Sequence, residues 1–303
     1  MAQTIGIGTT VAAVALAAFG FGSFQDTAPD GPPPAMPASL QAPAPASLSA
    51  PESILPARVA ATALAPLPDL DRPAPVSRFG LACGLSIEAE PRPAASVALR
   101  IADPCRPEMR VEIAHEGLAV SVTTDLTGHA ELLLPALADP AEIAVRLPGG
   151  DGQLVRVPVP DLDEYDRVAL AWTGETPLAL HAREGGADYG EAGHVWQGSP
   201  GAPSDALRGS GGWLARLGDG LGTAPLMAQI YTIQHGALPG GGLVRLSVSA
   251  DGCGGPAEAA TLRPRPDGGV ARVDLSFALP ACDGTADRTV LQNLVGDLRI
   301  AAN

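Results

Sequence analysis

From Arg78 onward the chain alternates apolar and polar residues with a period of two. "GLSIEAE", "ASVALRI", "RVEIAHE" and "LAVSVTTD" follow this rule, as do "HAELLLP", "AEIAVRLP", "QLVRVPVP" and "DRVALAW". Such alternation marks half-buried β-strands. Asp125-Leu126-Thr127-Gly128 and Gly149-Gly150-Asp151-Gly152 punctuate them with glycine, where a turn needs positive φ. Eight short strands over residues 78–172 predict a β-sandwich. A second β-rich domain is predicted over residues 173–303. Its strand candidates are "PLALHAR", "APLMAQIYTIQH", "LVRLSVSA", "AEAATLRP", "GVARVDLSFALP" and "RTVLQNL". Between Gln197 and Gly222 the Gly/Ser/Pro-rich stretch around "GGWLARLG" predicts a long loop with at most one helical turn. The expected fold class is therefore all-β, with two β-sandwich-like domains.

Upstream the pattern changes twice. Thr4 to Phe24, "TIGIGTTVAAVALAAFGFGSF", carries no charge. About 20 helical residues span roughly 30 Å, the thickness of a bilayer core. Residues 1–25 are thus expected to be a signal anchor, or a signal peptide with small residues for cleavage at Ala15-Leu16-Ala17. Residues 26–77 are rich in Pro, Ala, Ser and Leu, as in "DGPPPAMPASLQAPAPASLSAP". Proline at that density opposes helix and sheet alike, so a disordered linker is expected. Together they predict a head held off the inner membrane by a single span, or released to the periplasm if the signal is cleaved.

Composition narrows the chemistry. The net charge of −14 disfavours nucleic acid and anionic membrane surfaces as partners. All 19 cationic side chains are arginine. Without lysine there is no Walker-type phosphate contact, no Schiff base and no Ser-Lys dyad. The four cysteines, Cys83, Cys105, Cys253 and Cys282, form no C-x-x-C pair. Behind an export signal an even count suggests disulfides. Nearness in sequence favours Cys83–Cys105 and Cys253–Cys282.

Two resemblances add to this. "TTDLTGHAELLLPAL", Thr123 to Leu137, resembles the hairpin of transthyretin-like and carboxypeptidase-regulatory-like sandwiches, which implies a passive or adhesive module. The run of anchor, Pro/Ala linker, "GLACGLS", "VPDLDEYDRVALAW", "LHAREGGADYG…GHVW" and "VLQNLVGDLRIA" resembles a family of bacterial exported proteins. Some of its members carry the label translocase. The resemblance implies export and assigns no residue a role.

Chemistry-bearing side chains concentrate in "LHAREGGADYGEAGHVW", Leu180 to Trp196. A hairpin turning over Asp188-Tyr189-Gly190, with Leu180, Ala182 and Val195 facing the core, pairs His181 with Trp196 and Arg183 with His194. His181, Arg183, His194 and Trp196 then share the outer face as a candidate ligand-binding patch. A metal site would need His181 and His194 to converge with Asp188 or Glu191. "DLDEYD", Asp161 to Asp166, reads as a solvated acidic loop, and "GSGG", Gly209 to Gly212, as a flexible turn. His115 and His129 read as turn-adjacent surface residues, and His235 shows no partner.

The expected role is non-catalytic: a periplasmic binding or scaffold protein with an envelope protein partner and no cofactor. Two rival expectations are an exported metal-dependent hydrolase using residues 181–194 and an accessory subunit of an export or translocation system.

Overall fold

The computed structural model describes residues 75–238, 242–282, 289–292 and 296–300. The expected anchor and nearly all of the linker lie outside them. Among the described residues no helix is long and apolar enough to cross a membrane.

The eight expected strands of the first block all form. They are β1 (Ser86–Arg92), β2 (Ser96–Ala102), β3 (Arg110–His115), β4 (Leu118–Thr123), β5 (His129–Pro135), β6 (Ala141–Arg146), β7 (Gly152–Val157) and β8 (Tyr165–Thr173). The second block follows with β9 (Leu178–Arg183), β10 (His194–Val195), the short helix α1 (Pro203–Leu207), β11 (Trp213–Leu217) and β12 (Leu226–Gln234). It ends with β13 (Gly242–Ala250), β14 (Pro256–Pro264), β15 (Val270–Ala278), β16 (Thr289–Gln292) and β17 (Leu298–Ile300). The chain is all-β, and every pairing among the described strands is antiparallel.

The strands form four sheets, ordered β1-β2-β5, β4-β3-β6-β7, β11-β12-β8-β14-β15 and β10-β9-β13-β16, with β17 also on β13. Val97, Leu99 and Ile101 of β2 share one apolar core with Val111 and Ile113 of β3 and Ile143 and Val145 of β6. That core continues onto one face of the five-stranded sheet through Ala169, Ala215, Ala228 and Ile230. The other face of the same sheet supplies Val168, Leu170, Trp172, Met227, Tyr231 and Ile233 to a second core. There they meet Leu178, Leu180 and Ala182 of β9 and Val244, Leu246 and Val248 of β13.

Two features differ from the sequence expectation. β8 pairs with β12 along its whole length and with β14, so it builds the five-stranded sheet rather than the first sandwich. The reason is burial on both faces: β8 and β12 are near-continuous apolar runs, the mark of a strand between two cores. The stretch after Gln197 holds the expected helical turn as α1 but also, unexpectedly, the strand β11. "WLARL" lacks clean alternation because Trp213, Ala215 and Leu217 face one core and Leu214 the other.

The two disulfides pair Cys83 with Cys105 and Cys253 with Cys282, as expected, over separations of 22 and 29 residues. Loop-closure entropy puts the stabilisation of each at about 3 kcal/mol.

Arg167 of β8 joins the β1-β2-β5 sheet to the five-stranded sheet. Its side chain is only 2% exposed. Nε donates to Thr232 Oγ1 at 3.2 Å, and Nη1 donates to Ala95 O at 2.7 Å. Further hydrogen bonds run from Nη1 to Ala136 O and from Nη2 to Ala94 O. Ala94 and Ala95 hold positive φ values of 58° and 47°, which turns their carbonyls onto the guanidinium. Asp161 Oδ2 fixes that turn by accepting from Ala95 N–H at 3.1 Å. Burial pulls the guanidinium down to about 9, with Asp161 and Tyr165 opposing the shift. It therefore stays charged at neutral pH.

Replacing Arg167 by Met would strip Ala136 O of its donor and leave Ala94 O and Ala95 O with only Ser96 Oγ and Ala136 N–H, respectively. Urea unfolding of Arg167→Met should show a loss of about 3–5 kcal/mol. A loss below about 1 kcal/mol, within the range of an ordinary surface change, would remove this residue from its central place.

Candidate functional site

Part of the expected hairpin register is present: His194 faces Arg183 and Val195 faces Ala182, while Trp196, expected opposite His181, lies beyond the end of β10 and bridges to Ser199. Leu180, Ala182 and Val195 point into the second core. His181, Arg183 and His194 therefore stand on the opposite, outer face of the sheet. The histidines are not exposed there, however. His181 is 3% and His194 5% exposed. Sequence alternation separated inner from outer side chains but could not show what covers the outer ones.

Part of the cover is the segment between β9 and β10. Glu184 N–H donates to Gly193 O at 2.9 Å, and His194 N–H to Glu191 O at 3.0 Å, so the segment closes on itself. It lays Tyr189 over the face, where the phenol hydroxyl lies 2.7 Å from Ser247 Oγ. Tyr189 meets both imidazoles edge-on, with ring centres 5.6 Å from His181 and 5.2 Å from His194. Trp196 stacks on both, 5.4 Å from His181 and 5.6 Å from His194. Gly198 lies so close to the indole that a Cβ there would come within 2.5 Å of it. The indole is thus a packed lid.

The hydrogen bonds fix the proton positions. Gly190 N–H, an obligate donor, lies 2.9 Å from His194 Nδ1. That nitrogen must accept, so neutral His194 carries its proton on Nε2. Nε2–H donates to His181 Nδ1 at 2.9 Å. His181 then carries its proton on Nε2, which donates to Ser249 Oγ at 2.8 Å. The result is a one-way chain from Gly190 to Ser249 through two neutral imidazoles. Burial, and secondarily Arg183, push His194 below the usual histidine range, which favours the same state.

Arg183 lies beside this chain. Its guanidinium carbon is 4.5 Å from the Tyr189 ring centre. Nη1 is 3.6 Å from the carboxylate of Asp188, which is 79% exposed. Asp188 thus faces Arg183, while His181 and His194 turn their nitrogens on each other. Among the described residues no group of three or more His, Cys, Asp or Glu side chains could hold a metal ion.

Glu184, next in sequence, points the other way. Its Oε1 accepts from Gly212 N–H at 2.8 Å and from Tyr231 O–H at 2.7 Å. Burial raises the carboxyl above the usual range, against the pull of those two donors. Burial, with the Glu184 carboxylate second, raises the Tyr231 phenol as well. A Cβ at Gly211 would come within 3.0 Å of the Glu184 carboxylate, and one at Gly212 within 2.6 Å of the Tyr231 ring. Gly211 and Gly212 of "GSGG" are therefore closely docked, a correction to its reading as a flexible turn.

Other candidates also move. His115 is buried, not superficial: Leu137 N–H donates to its Nε2 at 2.8 Å, and its Nδ1–H donates to Glu142 O at 2.8 Å. Burial lowers its pKa. His129 stays in the exposed turn, 2.9 Å from Thr127 Oγ1. His235 has a partner in Asp166, at 3.3 Å. Within "DLDEYD", Asp161 caps the Ala94–Ala95 turn and Asp166 meets His235, so two of its acids have structural partners.

Four residues of the outer-face network escaped the sequence reading: Tyr189, Gly190, Ser247 and Ser249. The serines did leave a trace. In "LVRLSVSA" they alternate with inward Leu246 and Val248, and strand pairing sets Ser247 opposite His181. A groove of about 470 Å³ lies elsewhere, lined by Gly117, Ala171, Glu258, Arg272 and Asp274 among others, and none of the expected site residues borders it. No protein-family model and no curated protein matches the chain.

Two pH dependences of opposite sign follow. His194, lowered in the fold, takes up protons more readily when unfolded, so its contribution to stability rises with pH. The parent should gain stability over His194→Gln as pH rises from about 5.5 to 7.5. Nitrogen NMR should find the proton of His194 on Nε2; a proton on Nδ1 would refute the chain. Glu184, raised in the fold, contributes most when protonated, so its contribution declines as pH climbs through its folded pKa. Glu184→Gln should abolish that decline. Glu184→Ala should lose about 2–3 kcal/mol by stranding Gly212 N–H and Tyr231 O–H.

Proposed function

We propose that the chain is a non-catalytic envelope binding protein, its β-rich head carried on an N-terminal anchor and a Pro/Ala-rich stalk. The observation that carries this reading is the one-way hydrogen-bond chain on the outer face of the β10-β9-β13 sheet. Both imidazoles are neutral, and all four of their ring nitrogens already hold hydrogen bonds within the fold. Such a network gives up no nitrogen to a substrate proton or a metal without breaking a buried contact. What it builds is a rigid platform with Tyr189, Arg183 and Asp188 at its rim. Rigid aromatic and arginine side chains at the rim of a packed patch suit recognition. The two disulfides fit an oxidising compartment, as the periplasmic placement requires.

The test is site-specific cross-linking in cells expressing the full-length chain. A photoreactive residue at exposed Glu191, beside the platform, should trap one discrete partner. The same residue at Leu154, on the exposed side of β7, should not. Equal yields at both positions, or no adduct at Glu191, would defeat the binding reading. Hydrolytic activity in the purified protein that disappears in His194→Gln would replace it with the enzyme reading. For the compartment, an export-dependent phosphatase fused after Ala82 should be active; activity of a cytoplasm-dependent reporter alone at that position would exclude the envelope.

A further inference from the structure

The same outer face holds a concentration of cations. Arg183 of β9 and Arg245 of β13 are direct register partners. Paired residues of neighbouring strands project to the same side, with Cβ atoms about 5 Å apart. Like charges so placed repel. β17 adds a third cation: Arg299 pairs with Leu243, two residues before Arg245, and so lies diagonally beside it, about 7–8 Å away. Arg245 and Arg299 are both exposed.

These arginines differ from most others among the described residues. Eight arginines outside the cluster, at positions 92, 100, 106, 146, 156, 208, 265 and 272, are paired with a carboxylate. Among the described residues no carboxylate comes within ion-pair distance of Arg245 or Arg299. Arg183 has only the long contact to exposed Asp188. Its side chain is 13% exposed, and its Nε is shut off from solvent with no acceptor among the described residues. Asp297 precedes Arg299, but its Oδ1 accepts from Leu246 N–H at 3.3 Å. An under-partnered, partly desolvated guanidinium opposite a second one is an unfavourable arrangement, and an oxyanion between them would relieve it.

The charge of the whole chain limits the ligand. A net charge of −14 repels polyanions at long range. A short-range cluster inside such a field favours a ligand with few negative groups over nucleic acid or a long acidic polymer. We propose that Arg183, Arg245 and Arg299 form an oxyanion-binding row that takes one or two carboxylate or phosphate groups of a small ligand. This rests on the reading of the face as a recognition surface and names the chemistry it recognises.

The test is calorimetric titration of the purified full-length protein with citrate and with pyrophosphate, at ionic strength held constant with chloride. Saturable binding with one equivalent of either anion is expected; the stronger of the two identifies carboxylate or phosphate as the source. Arg245→Gln and Arg299→Gln should each weaken it at least about five-fold, one lost charge-assisted contact. Arg183→Gln should abolish it. Because Arg183 is partly buried, the two exposed variants keep the test valid if that one unfolds. Arg156→Gln, on β7, should bind as the parent does. Absent or unsaturable binding, or equal weakening in Arg156→Gln, would overturn the proposal, as would heparin binding more tightly than citrate and pyrophosphate. If the Glu191 adduct forms in cells and survives Arg245→Gln and Arg299→Gln while neither anion binds, the recognition surface stands and the oxyanion row falls. If the anions bind and no adduct forms, the row stands and a protein partner at this face falls.

Discussion

A buried guanidinium with no carboxylate in direct contact holds the layers together. Arg167 leaves β8 on the side of the first core and meets three backbone carbonyls, from the β1–β2 turn and from the end of β5. A charge in that position would be costly if isolated. Here carbonyl dipoles replace the water it loses, and Asp161 supplies a negative charge one step away. The left-handed turn at Ala94 and Ala95 then has a cause. Two alanines accept an unfavourable φ because their carbonyls are needed by the cation. Lysine, whose three donors share one nitrogen, could not reach acceptors that Arg167 serves from Nε, Nη1 and Nη2.

With β8 fixed in this way, the five-stranded sheet lies between two cores, and the consequences reach the outer face. β12 places Gln229 between its inward residues on the second-core side, and Gln229 Oε1 accepts from Leu180 N–H at 2.7 Å. That bond ties the central sheet to β9, whose opposite face carries His181 and Arg183. The platform therefore stands on a strand held from beneath by a buried amide and held laterally by β13. A hydrogen-bond chain through two imidazoles needs that rigidity. A displacement of about 1 Å would take a 2.9 Å contact outside hydrogen-bonding range.

Much of this was legible in the chain and some of it was not. Period-two alternation located the strands up to Thr173, and in β1 to β7 it did so because each has one face whose environment differs from the other. The same signal, with the position of the glycine-rich turn, gave the His194–Arg183 register, since a slip of one residue would turn Leu180 and Ala182 away from Val195. It failed at β11 and misplaced β8, where both faces are buried and alternation disappears. It also could not foresee that His181 and His194 are buried. Alternation reports which side of a sheet a residue takes, and the cover on that side comes from Tyr189, a loop residue with no periodicity to read. His115 illustrates the same gap, being buried by the segment around Leu137 that follows β5.

Glycine was the most misleading signal. The Gly-rich stretch after Gln197 has the composition of a flexible linker, yet its glycines answer to contacts. Gly198 lies against the Trp196 indole and Gly212 against the Tyr231 ring, both closer than a Cβ would allow, and Gly211 lies tightly against the Glu184 carboxylate. Removing the side chain lets the backbone approach, and the approach brings Gly212 N–H to the buried Glu184. The unpaired cost of that carboxylate is then divided between a backbone donor and a phenol, and both sit on the far side of β9 from the histidine pair. Arg183 and Glu184 are adjacent in sequence and opposite in charge, but they face different environments and satisfy different partners. Had Glu184 faced outward it would have neutralised Arg183 directly. Directed inward, it leaves the arginine row on the outer face with less negative charge than the sequence around it contains.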